Sequence, residues 1–102
     1  EKDYSAAVRY AKRTLYVDVM DSGVHRMLAA AYEQLNQTKQ AIKEHQVALQ
    51  LEPATSESEL GLARCYFKDN QAEEAKKLLK TLLTREPDHQ AARELLSQIE
   101  GN

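Results

Sequence analysis

Residues 25–53 read HRMLAAAYEQLNQTKQAIKEHQVALQLEP, and residues 59–87 read ELGLARCYFKDNQAEEAKKLLKTLLTREP. Sliding 22–55 onto 56–89 matches Ser22 with Ser56, Leu28 with Leu62, Ala29 with Ala63, Tyr32 with Tyr66, Asn36 with Asn70 and Gln37 with Gln71. Ala41 with Ala75, Lys43 with Lys77, Glu52 with Glu86 and Pro53 with Pro87 follow. Chance alone would leave about two matches in such a window. A fixed period of 34 residues marks a stack of repeated units, each unable to bury its apolar stripe alone.

Working outward, the chain reads as helices throughout. Tyr4, Ala7, Val8, Ala11 and Leu15 have helical spacing over 3–17. In register, Ala7 aligns with Ala41 and Ala75, and Asp18 with Glu52 and Glu86, while Val19 stands where the terminal Pro would be. This segment is thus a second helix without its first. Ser22 is expected to cap the next helix, which Asn36 ends by accepting the left-handed conformation, as Asn70 does one repeat later. Pro53 and Pro87 stop the helices that precede them. Ser56-x-x-Glu59 has the capping-box pattern. Glu73 and Lys77 are expected to pair at i,i+4. Asp88 is expected to cap a last helix, and Gly101 to lie just past its end. No stretch alternates with period two for long enough to make a strand.

The internal pattern is more telling than the period. Leu28-Ala29-x-x-Tyr32, Ala41 and Pro53 recur as Leu62-Ala63-x-x-Tyr66, Ala75 and Pro87. This resembles the tetratricopeptide repeat, W-x2-L-G-x2-Y…A-x3-F…P. His25 and Glu59 stand where that family often has Trp, His45 and Leu79 where it often has an aromatic, and Ala29 and Ala63 in place of Gly. The resemblance implies an all-α superhelix of antiparallel helix pairs. The expected division is one domain fragment over 1–102: a leftover second helix at 1–19, full repeats at 22–55 and 56–89, and a terminal or capping helix at 90–102. Ala29 with Ala41, and Ala63 with Ala75, are the natural close contacts, because only small side chains let two helices approach. The first residue is Glu and lies inside a repeat, so the chain reads as an excised fragment.

Composition narrows the function classes. Charged residues are 29%, apolar residues 42%, and the formal net charge is -2. The acidic balance argues against a nucleic-acid partner, and no run approaches the roughly 18 apolar residues of a membrane span. A single Cys allows no intrachain disulfide.

Chemistry-bearing motifs are absent. No G-x-S-x-G, H-E-x-x-H, C-x-x-C or phosphate-binding glycine loop occurs. His25 and His45 fall on facing helices, yet two ligands fall short of the three or four a zinc site uses; all three histidines, His89 included, read as packing or surface groups. Cys65 reads as a buried small apolar residue, without a His partner that the sequence identifies. No catalytic residue, metal or cofactor is therefore assigned.

The resemblance implies a concave groove lined by the first helix of each repeat. Its expected lining is Arg26, Ala30 and Glu33, then Leu60, Arg64, Phe67 and Lys68, extended by Glu94 and Gln98. Phe67 beside Arg64 and Lys68 suits an extended peptide with an acidic group. Some members of the family clamp the carboxy terminus of heat-shock chaperones with Lys and Asn; Arg26, Ala30, Leu60 and Arg64 occupy those places here, so that clamp is not assigned. The expected function is a protein-interaction or scaffold module with a protein or peptide partner. The competing class is an accessory repeat domain that positions the catalytic domain of a larger enzyme. Ala7, Val8, Ala11 and Leu15 on the unpaired first helix are expected to be partly exposed, and such a surface would in addition invite a homodimer.

Overall fold

The computed structural model describes residues 3–17 and 21–101, with side chains of 14–17 left aside. Six helices follow in order: α1 (Tyr4–Val17), α2 (Ser22–Gln34), α3 (Thr38–Leu51), α4 (Ser56–Lys68), α5 (Ala72–Arg85) and α6 (Gln90–Gly101). No strand occurs among the described residues. Asp18, Val19 and the two chain ends lie outside them.

The turns inside the two copies are built alike. Asn36 and Asn70 take φ of 60° and 63°. Their left-handed backbone lets Gln37 N–H reach the Tyr32 carbonyl at 2.9 Å and Gln71 N–H the Tyr66 carbonyl at 2.8 Å. These six-to-one bonds satisfy carbonyls the helix leaves free. Ala54 also has positive φ, 62°, which costs an alanine of order 1 kcal/mol. That turn is held from outside: Arg85 Nη2 donates to the Ala54 carbonyl and Thr55 Oγ1 to the Glu52 carbonyl.

Five local expectations give way, two of them to tertiary partners. Asp21, not Ser22, caps α2, its Oδ1 accepting from Val24 N–H at 3.1 Å. Ser22 is already helical and donates to Glu52 at 2.7 Å. Ser56 likewise donates to Glu86, and Glu59 is held by Arg85, so no capping box forms at α4. At α5, Glu73 meets Lys76 at 3.0 Å instead of Lys77. At α6, His89 Nδ1 takes the free Ala92 N–H in place of Asp88. Gly101 is the last helical residue and its φ is not positive.

Each helix packs on its neighbour in the chain, and α2 also touches α4, as α4 touches α6. Among the described residues, no comparable contact joins α1 to α3 or α3 to α5. The α2, α4 and α6 row is therefore pinched together and the α1, α3 and α5 row splayed, which curves the stack toward the first row.

The core runs through the whole stack. Ala11, Leu28, Tyr32, Ala41, Ile42, Leu62 and Cys65 form one buried cluster; Ala63, Ala75, Leu79, Leu82 and Ala92 form the next. Tyr66 and Leu78 pack against both and join them. Ala29, Ala41, Ala63 and Ala75 are completely buried, as close helix approach requires. Ala11 is buried too, and Val8 packs on the first cluster. The apolar stripe of α1 is thus turned onto the core, which corrects the expected exposure of Ala11. Ala7 is half-buried, and the Leu15 side chain lies outside the described residues.

Candidate peptide-binding groove

The pinched row of helices opens a cavity of about 410 Å³ between α2 and α4. Gly23, Arg26, Met27, Ala30 and Glu33 line it from α2, Glu57, Leu60 and Arg64 from α4, and His45 from beneath on α3. A second cavity, about 180 Å³, continues from Leu60 and Arg64 to Ala91, Glu94, Leu95 and Gln98 on α6. The lining recurs with the period of the sequence: Gly23, Glu57 and Ala91; Arg26, Leu60 and Glu94; Ala30, Arg64 and Gln98. A larger concavity of about 540 Å³ lies along α6 alone. One helix face cannot enclose a ligand, so the continuous groove is the better candidate.

Of the residues expected to form the site, Arg26, Glu33, Leu60 and Arg64 come together in the first cavity. Phe67 and Lys68 are exposed at the C-terminal end of α4 and line neither cavity. Gly23, Met27, His45 and Glu57 enter the lining without having been anticipated. Gly23 and Glu57 were legible, because each stands three residues before an expected lining residue, Arg26 or Leu60. Met27 was not: it is 47% exposed, whereas Gly61 one period later is buried.

Both groove arginines already hold carboxylates. Arg26 lies 3.1 Å from Glu52 and 3.6 Å from Glu57. Hydrogen bonds from Ser22 and then Arg26 hold the Glu52 carboxyl below the usual range. Arg64 Nη2 reaches both Glu33 oxygens, at 3.2 and 3.3 Å, while its own side chain is 47% exposed. The groove is therefore near charge balance, with an apolar floor of Met27, Ala30 and Leu60.

Beneath it lies a buried polar network. His45 Nε2 donates to Glu33 Oε2 at 2.9 Å, and the Cys65 sulfur lies within 4.8 Å of both side chains. Burial pushes the Glu33 carboxyl up, but the His45 bond and the Arg64 charge outweigh this, leaving it below its ordinary value. Burial, then the charge of Glu33, pushes the Cys65 thiol up to about 12. His25 Nδ1 pairs with Glu44 at 2.7 Å. Cys65 does lie beside a histidine, an arrangement the sequence did not reveal.

Gly61 makes room for His45. A Cβ there would fall 2.5 Å from Nε2 and 3.2 Å from Nδ1 of the imidazole. Alanine inside a helix gains about 1 kcal/mol over glycine, whereas overpacking costs about 1–3 kcal/mol. Gly61→Ala is therefore expected to lower the melting temperature by several degrees. Thermal denaturation followed by circular dichroism checks this; a raised midpoint would show that the ring moves aside without cost.

A family model for the tetratricopeptide repeat matches residues 37–99. No curated protein matches the sequence. Among solved structures, the second TPR domain of human RPAP3, in complex with the HSP70 peptide SGPTIEEVD, superposes with a TM-score of 0.91 at 23% identity, covering 97% of this chain and 82% of that one. The first TPR of Spaghetti (RPAP3), bound to the HSP90 peptide SRMEEVD, gives 0.89 at 23% identity, covering 94% and 76%. The Hsp90 co-chaperone Cns1 from Saccharomyces cerevisiae gives 0.86 at 23% identity, covering 97% of this chain and 33% of that one.

Proposed function

The chain belongs to the tetratricopeptide repeat family, and from that premise we propose that it is a protein-interaction module that binds an extended peptide along the α2–α4–α6 groove. The observation that carries this reading is the lining itself, three sets of groove residues spaced by one repeat. An extended segment can lie across such a row and meet one set per repeat.

The lining describes the ligand. Met27, Ala30 and Leu60 offer an apolar patch for one side chain. Arg64, half-exposed at its edge, can exchange Glu33 for a carboxylate of the peptide. Structurally similar domains hold peptides that end in Glu-Glu-Val-Asp, which supports an acidic carboxy-terminal segment here.

The test is a fluorescence-anisotropy screen of carboxy-terminal peptides that includes SGPTIEEVD and SRMEEVD. Wild type is expected to select acidic peptides with an apolar residue near the end. Arg64→Ala is expected to weaken the selected peptide about ten-fold, the loss of one charge-assisted hydrogen bond. Equal binding by Arg64→Ala and Leu60→Asp, or no selection by wild type, would remove the groove as the site.

A further inference from the structure

The strongest unassigned cluster lies under the groove, where the two copies of the repeat stop resembling each other. Glu33 corresponds to Phe67, His45 to Leu79, Cys65 to Ile99 and Gly61 to Leu95. The α4–α5–α6 junction is thus apolar at four places where the α2–α3–α4 junction is Glu, His, Cys and Gly. The apolar set shows that the fold itself asks for no polar group there. Burying three such groups costs free energy unless something satisfies them.

We propose that Glu33, His45 and Cys65 form a binding site for a thiophilic divalent cation of the zinc class. A carboxylate oxygen, an imidazole nitrogen and the thiol sulfur all lie within 4.8 Å of one another; His45 and Cys65 are buried, and the Glu33 side chain is 9% exposed. Tetrahedral zinc, with bonds of about 2.0–2.3 Å, holds its ligand atoms roughly 3.3–3.8 Å apart. Side-chain adjustment closes the remainder. Carboxylate, imidazole and thiolate are each zinc ligands, and open zinc sites take three protein ligands with a fourth position left for solvent. The sulfur and nitrogen donors disfavour magnesium and calcium, which take oxygen.

Two further observations point to a ligand at this place. His45 is 4% exposed, and its Nδ1 has no hydrogen-bond partner among the described residues. The ring edge that carries both nitrogens is pressed against α4 at Gly61, one turn before Cys65. In addition, Glu33 and His45 line the 410 Å³ cavity, which provides an entry path. Three opponents set the affinity. The cation must displace the Cys65 proton, as every thiolate ligand requires. Coordination through His45 Nε2, which here donates to Glu33, also moves that ring proton to Nδ1. The cation must also draw Glu33 away from the Arg64 guanidinium, which lies 3.2 Å from it.

The test uses the intact, reduced chain, stripped with a chelator and titrated with Co²⁺ alone, then back-titrated with Zn²⁺; no peptide is present, so the outcome is independent of the groove reading. A thiolate-to-cobalt charge-transfer band is expected, saturating at one cation per chain and erased by Zn²⁺. Cys65→Ala, which installs the residue that Ala31 supplies one repeat earlier, abolishes the band. His45→Gln weakens binding at least about ten-fold. Arg64→Gln tightens it, because the competing cation is gone; a purely structural network would show no such gain. Circular dichroism verifies that each variant is folded. No band in folded wild type, or an undiminished band in His45→Gln, overturns the proposal.

Discussion

Leu79→Ala is expected to cost about 2–5 kcal/mol of stability and to lower the melting temperature by roughly 10–30 °C. Leu79 is completely buried on α5, among Ala63, Ala75, Leu82 and Ala92. Its neighbours come from α4, α5 and α6, so the loss falls where three helices meet. Tyr66, Leu95 and Ile99 pack on the same cluster, and they cannot all move in to fill the space vacated. The cost therefore includes a cavity as well as lost transfer energy. Calorimetry or urea denaturation measures it; a midpoint within a degree or two of wild type would show that Leu79 does not hold the last helices together.

Glu33→Ala carries the second large expected effect, about 2–4 kcal/mol in metal-free protein. The Glu33 side chain is 9% exposed and accepts from His45 and Arg64. Removing it leaves His45, 4% exposed, with neither ring nitrogen satisfied. Arg64 adds little to the loss, since it is half-exposed and finds water. The acid limb of the stability curve should change as well. A carboxyl whose folded pKa is depressed adds stability above its unfolded pKa and loses it as pH falls through the folded value. The loss attributable to Glu33 therefore begins near its ordinary 4.5 and continues below. Glu52 and Asp69 are depressed too, by bonds from Ser22 and from Gln71 respectively. The variant should hence show a shallower acid limb, not a flat one. Urea titrations between neutral pH and the acid transition measure both effects, and an acid limb as steep as wild type would mean that Glu33 is not held as its charged form.

The helices and their ends were legible because they depend on interactions within one or two turns. Asn36 and Asn70 end their helices through their own backbone tolerance, and Pro53 and Pro87 act on the residue before them. The small residues Ala29, Ala41, Ala63 and Ala75 were legible through the period, since each copy repeats the same packing demand. Caps were less legible. Ser22 and Ser56 look like cap and capping box, yet their hydroxyls are claimed by Glu52 and Glu86, the residues just past the end of the following helix. The signal was present, because both partners of that bond are identical in the two copies. The polar network had no such signal. Glu33, His45 and Cys65 each break the repeat, so no second copy advertised their meeting.

By itself, then, the sequence determined the repeat, the six helices, their stops and the faces that must be small. These follow from a 34-residue period and from forces that act along one helix. Only the tertiary structure decided which carboxylate each arginine takes, that Phe67 and Lys68 stand outside the groove lining, and that a thiol, an imidazole and a carboxylate share one buried corner. Those outcomes depend on the distance and rotation between helices, where a shift of one or two ångströms exchanges one hydrogen-bond partner for another.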